Sequence, residues 1–330
     1  MSRFVRDCCG VCSKLCLKSS VSHVSHLTSH VYIHTVIYGA IDIGSNAGRL
    51  LIGNVVESDK GVKVKKILLT RVPLRLGEDV FTDKKISKER LKKLIKTIKA
   101  YRNLMDVYDV TSYKAVATSA MREAENRKEV IKEVKNETGI ELDIIDGETE
   151  AEIIFSNFFT QKLDKTKNYL YIDVGGGSTE ISLLNKGEKM ASQSFKIGTL
   201  RILKDKVADE KWIEMKNWLK SLNIKEPITA IGTGGNINRI LKIHKTESNI
   251  LNYAEIKKIQ AYISSYTVED RVEVLGLRPD RADVIIPATD IYLAIMKYAT
   301  VNEILIPKIG LTDGLIYSLH LESVKKKVNH

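Results

Sequence analysis

At 330 residues the chain is longer than one ordinary domain of roughly 150 residues and suits two, each large enough to bury its own core. With 43% hydrophobic and 28% charged residues, and no apolar run near the roughly 18 residues of a membrane span, it reads as neither disordered nor membrane-embedded. Its 52 Lys and Arg against 41 Asp and Glu leave a formal charge of +11, which concentrates polyanions near the surface without choosing among nucleic acid, polyphosphate and anionic membrane.

Residues 1–35 read as a leader. All four cysteines, Cys8, Cys9, Cys12 and Cys16, fall within it, which leaves the rest of the chain without thiol chemistry and suits a reducing cytoplasm. His23, His26, His30 and His34 are spaced so that a helix would align their imidazoles and offer a site for zinc or nickel. The segment has neither helical apolar periodicity nor the continuous apolar stretch of a signal peptide. A disordered leader or a mis-assigned start is the expectation, and a metal-binding leader the alternative.

From Val36 the pattern becomes regular. Val36–Ile43, Arg49–Val56 and Val62–Val72 read as three strands of a meander. Ser87–Met105 reads as a helix, with Leu91, Leu94, Ile95 and Ile98 at helical spacing, Ser87 as N-cap and Glu89 in the first turn. Tyr113–Thr118 then reads as a strand, Arg122–Thr138 as a helix, Glu141–Ile145 as a strand and Glu148–Thr160 as a helix. The order over 36–160 is βββαβαβα. Within it, the basic helix from Lys84 to Lys99 carries Lys84, Lys85, Lys88, Arg90, Lys92, Lys93, Lys96 and Lys99. A solvated face is the simpler interpretation, and a track for an extended polyanion the sharper one.

The second half, 161–330, starts the same way. Tyr169–Asp173, Glu180–Leu184 and Lys189–Phe195 read as strands, followed by mostly helical segments with short strands near Thr229–Ile231 and Glu303–Ile306, and a solvated, frayed tail at Lys325, Lys326 and Lys327. Ala40-Ile41-Asp42-Ile43-Gly44-Ser45-Asn46 aligns with Tyr171-Ile172-Asp173-Val174-Gly175-Gly176-Gly177. Each is an apolar strand ending in Asp, then a glycine-bearing turn, then a returning strand, so two internal copies are expected around one cleft. Such a turn lets backbone N–H groups approach a phosphate while the Asp holds a cation over it. One copy also suits an ordinary hairpin; two facing copies do not. A third loop, Ile231-Gly232-Thr233-Gly234-Gly235-Asn236, lies between a strand and a helix and offers helix N-terminal N–H groups to a further phosphate.

Asp42-Ile43-Gly44-Ser45-Asn46, Ala117-Thr118-Ser119-Ala120-Met121-Arg122, Asp146-Gly147-Glu148-Thr149-Glu150-Ala151-Glu152 and Asp173-Val174-Gly175-Gly176-Gly177-Ser178-Thr179-Glu180 together resemble the exopolyphosphatase and guanosine pentaphosphate phosphohydrolase (Ppx/GppA) family. The resemblance continues through Gly198-Thr199-Leu200-Arg201, Gly232-Thr233-Gly234-Gly235, Arg278-Pro279-Asp280-Arg281-Ala282-Asp283 and Gly310-Leu311-Thr312-Asp313-Gly314. It implies an α/β chain with a duplicated actin-like, ribonuclease-H-like fold. It further implies a phosphoric anhydride hydrolase acting on inorganic polyphosphate; guanosine pentaphosphate is the alternative substrate, and non-hydrolytic actin-like nucleotide binding the alternative of another class.

Residue by residue, the resemblance makes Glu150 the group that takes a proton from the attacking water and Glu180 the second catalytic acid. Asp42, Asp173 and Glu180 would hold Mg2+ or another divalent cation such as Mn2+. Ser45, Asn46, Gly176, Gly177 and Ser178 would cradle the terminal phosphate, joined by Gly234 and Gly235 of the third loop. Arg49 and Arg122 match arginines that bind phosphoryl oxygens. Structural alternatives stand beside these: Glu148, Glu150 and Glu152 as an acidic first turn complementing a helix dipole, and Arg122 as a surface residue. Asp290 reads as local variation, and Asn236 stands where the family more often has Thr. The implied partners are polyphosphate or guanosine pentaphosphate, with no nucleic acid and no membrane; a homodimer stays open.

Overall fold

The computed structural model describes residues 36–58, 61–158, 164, 166–224 and 227–328. The cysteine- and histidine-bearing leader lies outside the described residues. Strands β1 (Tyr38–Ile43), β2 (Ala47–Ser58) and β3 (Gly61–Pro73) form the expected antiparallel meander, with β1 buried along its whole length. Then come α1 (Leu76–Asp83), α2 (Lys88–Val107), β4 (Ser112–Ala117), α3 (Ser119–Glu123), α4 (Arg127–Thr138), β5 (Asp143–Ile144) and α5 (Gly147–Phe158). Strand β4 runs parallel to β1, and β5 parallel to β4, which gives the sheet order β3-β2-β1-β4-β5.

Three details differ from the sequence expectation. Helix α1 had no counterpart there. The segment read as one helix from Arg122 is two, interrupted at Ala124–Asn126, because the Asn126 amide is spent on the backbone of Ile86: it donates to the Ile86 carbonyl at 2.9 Å and accepts from the Ile86 N–H at 3.0 Å. Lys84 and Lys85 precede α2 rather than belonging to it. The Ser87 cap does form, its hydroxyl accepting from the Arg90 N–H at 3.3 Å.

The second half runs β6 (Asn168–Val174), β7 (Thr179–Asn185), β8 (Glu188–Phe195), α6 (Thr199–Leu203), α7 (Asp209–Ser221), β9 (Ile228–Thr233) and α8 (Gly235–His244). It continues with β10 (Ile250–Asn252), α9 (Tyr253–Ser264), α10 (Val268–Glu273), α11 (Pro279–Ala282), α12 (Ile285–Tyr298), β11 (Glu303–Leu305) and α13 (Leu311–Val328). Its sheet, β10-β11-β9-β6-β7-β8, repeats the first order through β11-β9-β6-β7-β8 and adds β10 at one edge. The repeat extends to register: Asp42 pairs with Arg49 across β1 and β2, and Asp173 pairs with Glu180 across β6 and β7. This is the duplicated actin-like α/β fold.

Alternation along the strands divides the apolar side chains among three cores. Ile41 and Ile43 of β1 face α2 and α4 with Leu94, Ile98 and Val130, while Leu170 and Ile172 of β6 face Ile237, Ile256 and Tyr292. The opposite strand faces, with Tyr38, Ala40 and Leu51 from the first sheet and Tyr169, Tyr171 and Ile231 from the second, share a third core with Ile154 of α5 and Leu315, Ile316 and Leu319 of α13. Helix α13, the last in the chain, therefore packs on α5, β1 and β2. Lys325 and Lys326 are exposed as expected, but they continue this helix rather than fray.

Candidate active site

The two Asp-bearing turns meet at a cleft of about 250 Å³. Each turn closes in the same way: the Gly44 N–H donates to the Ala47 carbonyl at 3.1 Å, and the Gly175 N–H to the Ser178 carbonyl at 2.9 Å. They approach so closely that a Cβ on Gly177 would lie 2.5 Å from Phe81 and 2.8 Å from the Ser45 hydroxyl, so only glycine fits there. Arg201, buried and 3.9 Å over the Phe81 ring, donates to the Gly177 carbonyl at 2.5 Å and to Glu123, which fixes the second turn against α3. Ser45 is held by the Ala120 N–H, 3.1 Å from its hydroxyl oxygen. The third loop takes its place as expected, with Gly234 at φ +102° ahead of α8. Of the residues singled out from sequence, Asp42, Ser45, Asn46, Arg49, Glu150, Asp173, Gly176, Gly177, Ser178, Glu180, Gly234 and Gly235 all line this cleft.

Arg122 does not line it. Its guanidinium donates to the Ile145 carbonyl at 2.6 Å, just behind α5. The three glutamates of α5 also separate by role. Glu148 and Glu152 face outward onto Lys189, at 3.4 and 2.5 Å, whereas Glu150 faces the cleft. That separation argues against a merely acidic first turn. Asp290 accepts from Gln260 and stands outside the cleft, in keeping with local variation.

Acids crowd one side of the cleft. Burial, followed by the neighbouring Glu180, Asp173 and Asp42, holds the Glu150 carboxyl well above the usual range. Burial pushes Glu180 up to about 7, although the Ser178 and Ser194 hydroxyls donate to the same oxygen at 2.6 and 2.9 Å. Burial likewise pushes Asp173 up to about 6. Carboxyls raised in the folded state penalise folding as pH climbs from their unfolded values through their folded ones; stability is fullest below that window. In chelator, the melting temperature is therefore expected to rise between about pH 8 and about pH 6, by roughly 2 kcal/mol of stability or several degrees. A lower melting temperature at the acidic end would mean that the cleft acids do not dominate.

Arg49, Lys66, Arg71 and Arg281 also line the cleft, and all but Arg49 had no role assigned from sequence. Arg71 of β3 pairs with Asp280 of α11 at 2.5 Å, and Arg75 pairs with Asp283 at 2.7 Å, so the first half clasps the Arg278–Asp283 motif of the second. Arg281 donates to the Gly235 carbonyl, and burial followed by Arg71 and Arg49 lowers it to about 10. Lys66 bonds Asp313 at 2.8 Å where the Gly310–Gly314 motif reaches the cleft. The signal for Arg281 and Asp313 was present in those two motifs; Arg71 carried none beyond its place on a strand. The buried Ser119 hydroxyl also lines the cleft, without a hydrogen-bond partner. By contrast, Lys88, Lys92 and Lys96 are exposed and lie outside the cleft lining, Lys99 pairs with Glu137, and Arg90 is tied to Glu78 and Asp79. That arrangement suits a solvated face.

A divalent cation can be tested against this donor set. Asp42, Glu150, Asp173 and Glu180 offer hard carboxylate oxygens, and their mutual crowding favours a positive charge among them. Among the described residues, no group of three or more His, Cys, Asp or Glu side chains is gathered to hold a metal ion. Magnesium commonly takes one or two carboxylates and completes its shell with water and substrate phosphates, so the residues fit it without a protein cage. No helix of the described residues is long and apolar enough to cross a membrane.

The chain is similar in sequence and fold to known proteins. The chain is 31% identical to the bifunctional 3-dehydroquinate synthase/phosphatase of Fusobacterium nucleatum over 90% of its own length, although it spans only 48% of that protein. It is 28% identical to Exopolyphosphatase 1 of Mycobacterium tuberculosis, over 84% of this chain and 86% of that one. The crystal structure of an exopolyphosphatase from Cytophaga hutchinsonii superposes with a TM-score of 0.75 at 25% identity, covering 86% of this chain and 97% of that one. The model of the Ppx/GppA phosphatase family matches residues 55–323. With the duplicated fold and the paired turns facing one cleft, that match establishes that the chain belongs to the Ppx/GppA phosphatase family.

Proposed function

We propose that the chain is an exopolyphosphatase, releasing orthophosphate from the end of inorganic polyphosphate by attack of water. The observation that carries this is Glu150, a desolvated carboxyl among three other acids, facing two glycine-bearing turns across a cleft walled by arginines. The relative named Exopolyphosphatase 1, matched over most of both chains, supports the choice of substrate.

In this mechanism the turn N–H groups and the Ser45 and Ser178 hydroxyls seat the terminal phosphoryl group. Glu150 orients a water and takes its proton; a carboxyl held above the usual range by burial is a stronger base for that task than an ordinary carboxylate. The water oxygen bonds to phosphorus as the anhydride P–O bond to the chain breaks, and the departing oxygen keeps the electron pair. Arg49, Arg71 and Arg281 would neutralise the charge left on the shortened chain. One or two of Asp42, Asp173 and Glu180 would hold Mg2+ or Mn2+, with water and substrate phosphate completing its shell, and the ion when bound would supply positive charge to the phosphoryl oxygens.

Phosphate release from long polyphosphate, tetrapolyphosphate, guanosine pentaphosphate and ATP, assayed side by side with magnesium, tests the reading. Polyphosphate is expected to lead in kcat/KM by at least about tenfold. A lead for guanosine pentaphosphate would reassign the substrate within the same chemistry. A lead for ATP would reassign the chain to actin-like nucleotide hydrolysis.

A further inference from the structure

The two halves place different partners opposite equivalent aspartates. Asp173 faces another acid, Glu180, while Asp42 faces Arg49. The Arg49 guanidinium donates to Asp42 Oδ2 at 2.6 Å, with the Asp42 side chain 4% exposed and the Arg49 side chain 36% exposed to the cleft. Among the described residues this is the ion pair that the four cleft acids make, and Arg49 also feels the charges of Asp173 and Glu150. A guanidinium therefore stands where the crowded acids most need positive charge.

A divalent ion at Asp42 would compete with it for the same carboxylate. Hard cations bind carboxylate oxygen at about 2.0–2.1 Å in the case of magnesium, and an arginine held against that carboxylate both occupies its lone pairs and repels the ion. The side chain has somewhere to go, since it already lines the open cleft together with the two glycine-bearing turns. There a phosphoryl group can take the guanidinium that Asp42 gives up, and can accept from two of its N–H groups.

We propose that Arg49 is a placeholder cation, holding Asp42 while no divalent ion is bound and transferring to a phosphoryl oxygen of the substrate when the ion arrives. Metal and phosphate then load together: each removes the partner that the other must displace, so each tightens the other by the same factor. This rests on the metal-assisted reading above and adds an order to it. A static Asp42–Arg49 pair, serving only to brace β1 against β2, is the competing account.

Mn2+ binding to the purified full chain, followed by electron paramagnetic resonance and calorimetry without substrate turnover, separates the two. Arg49→Gln and Arg49→Met are expected to bind Mn2+ at least about tenfold more tightly than wild type, the scale of one charge-assisted hydrogen bond to be displaced. Orthophosphate, which tightens Mn2+ binding in wild type by drawing Arg49 away, is expected to tighten it less in the variants. Arg49→Lys keeps the charge and is expected to stay within about threefold of wild type. Circular dichroism checks that each variant is folded; if the two neutral variants are not, loss of the orthophosphate effect in Arg49→Lys, whose point charge cannot fork, carries the test. Unchanged or weaker Mn2+ binding in folded Arg49→Gln and Arg49→Met would overturn the placeholder and leave the metal reading standing. Absence of Mn2+ binding in wild type and variants alike would overturn both.

Discussion

Glu150→Gln is expected to lower kcat by at least about a hundredfold, or about 2.7 kcal/mol of barrier, while KM for polyphosphate stays close to wild type. The amide keeps the shape of the side chain and can still touch water, but it cannot accept the proton. The same substitution should leave the melting temperature unchanged or raise it at pH values above the ordinary carboxylate range, because it removes one of the acids whose burial and mutual repulsion oppose folding. Function and stability thus move in opposite directions, which a folding defect cannot imitate. Glu152→Gln is the matched control on the same helix: its carboxylate faces Lys189 at 2.5 Å, in an exposed pair whose loss costs little. A Glu150→Gln enzyme that keeps most of its turnover would place the water-orienting group elsewhere in the cleft.

Gly314→Ala is expected to destabilise the protein, against the usual sign of a glycine-to-alanine change within a helix. Helix propensity alone would favour alanine by about 1 kcal/mol. In α13, however, an added Cβ would fall 2.7 Å from the carbonyl carbon of Ile153 and 2.8 Å from its side chain, and it would overlap the carbonyl oxygen. Backbone cannot step aside as a flexible side chain can, so α5 and α13 must part. Overpacking of this kind costs about 1–3 kcal/mol or more, which becomes a drop of several degrees in melting temperature. Because α5 carries Glu150, kcat should fall as well. A higher melting temperature for Gly314→Ala would show that the two helices are not packed backbone to backbone.

Much of this architecture was legible because it repeats. The strands on either side of Asp42 and Asp173 follow from apolar alternation, and the shared Asp-turn pattern anticipated both the duplicate sheets and the acids of the cleft. Helix α1 was hidden for a physical reason. Its N-cap position is Arg75, in a left-handed conformation at φ 53° and without a side-chain cap, so no Ser, Thr, Asp or Asn announces it; Arg75 is recruited instead to Glu78 and Asp283. Asn126 misled in the opposite sense, since its bonds to Ile86 are tertiary and invisible to local propensity. The arginine wall was only half visible. Arg281 sits in a recognisable motif, but Arg71 reaches the cleft because β3 crosses beside α11, and the charge pattern of a single strand does not encode that. Direction within α5 was not readable from the pattern, since three acidic residues two apart say nothing about which one turns inward; only the family resemblance singled out Glu150.

The placement of α13 has a consequence for how the protein is made. Tyr38 and Ala40 of β1 are covered by Leu315, Ile316 and Leu319 of α13, apolar partners that are translated long after them. Pairing so distant in sequence is slow to close and exposes sticky surface while it waits. The nascent first sheet therefore stays unfinished until α13 has been made. Asp313 and Gly310 reach the cleft from the same segment, so the pocket is completed only with it, and a chain that stalls before Leu311 would emerge with an uncovered sheet and an incomplete pocket.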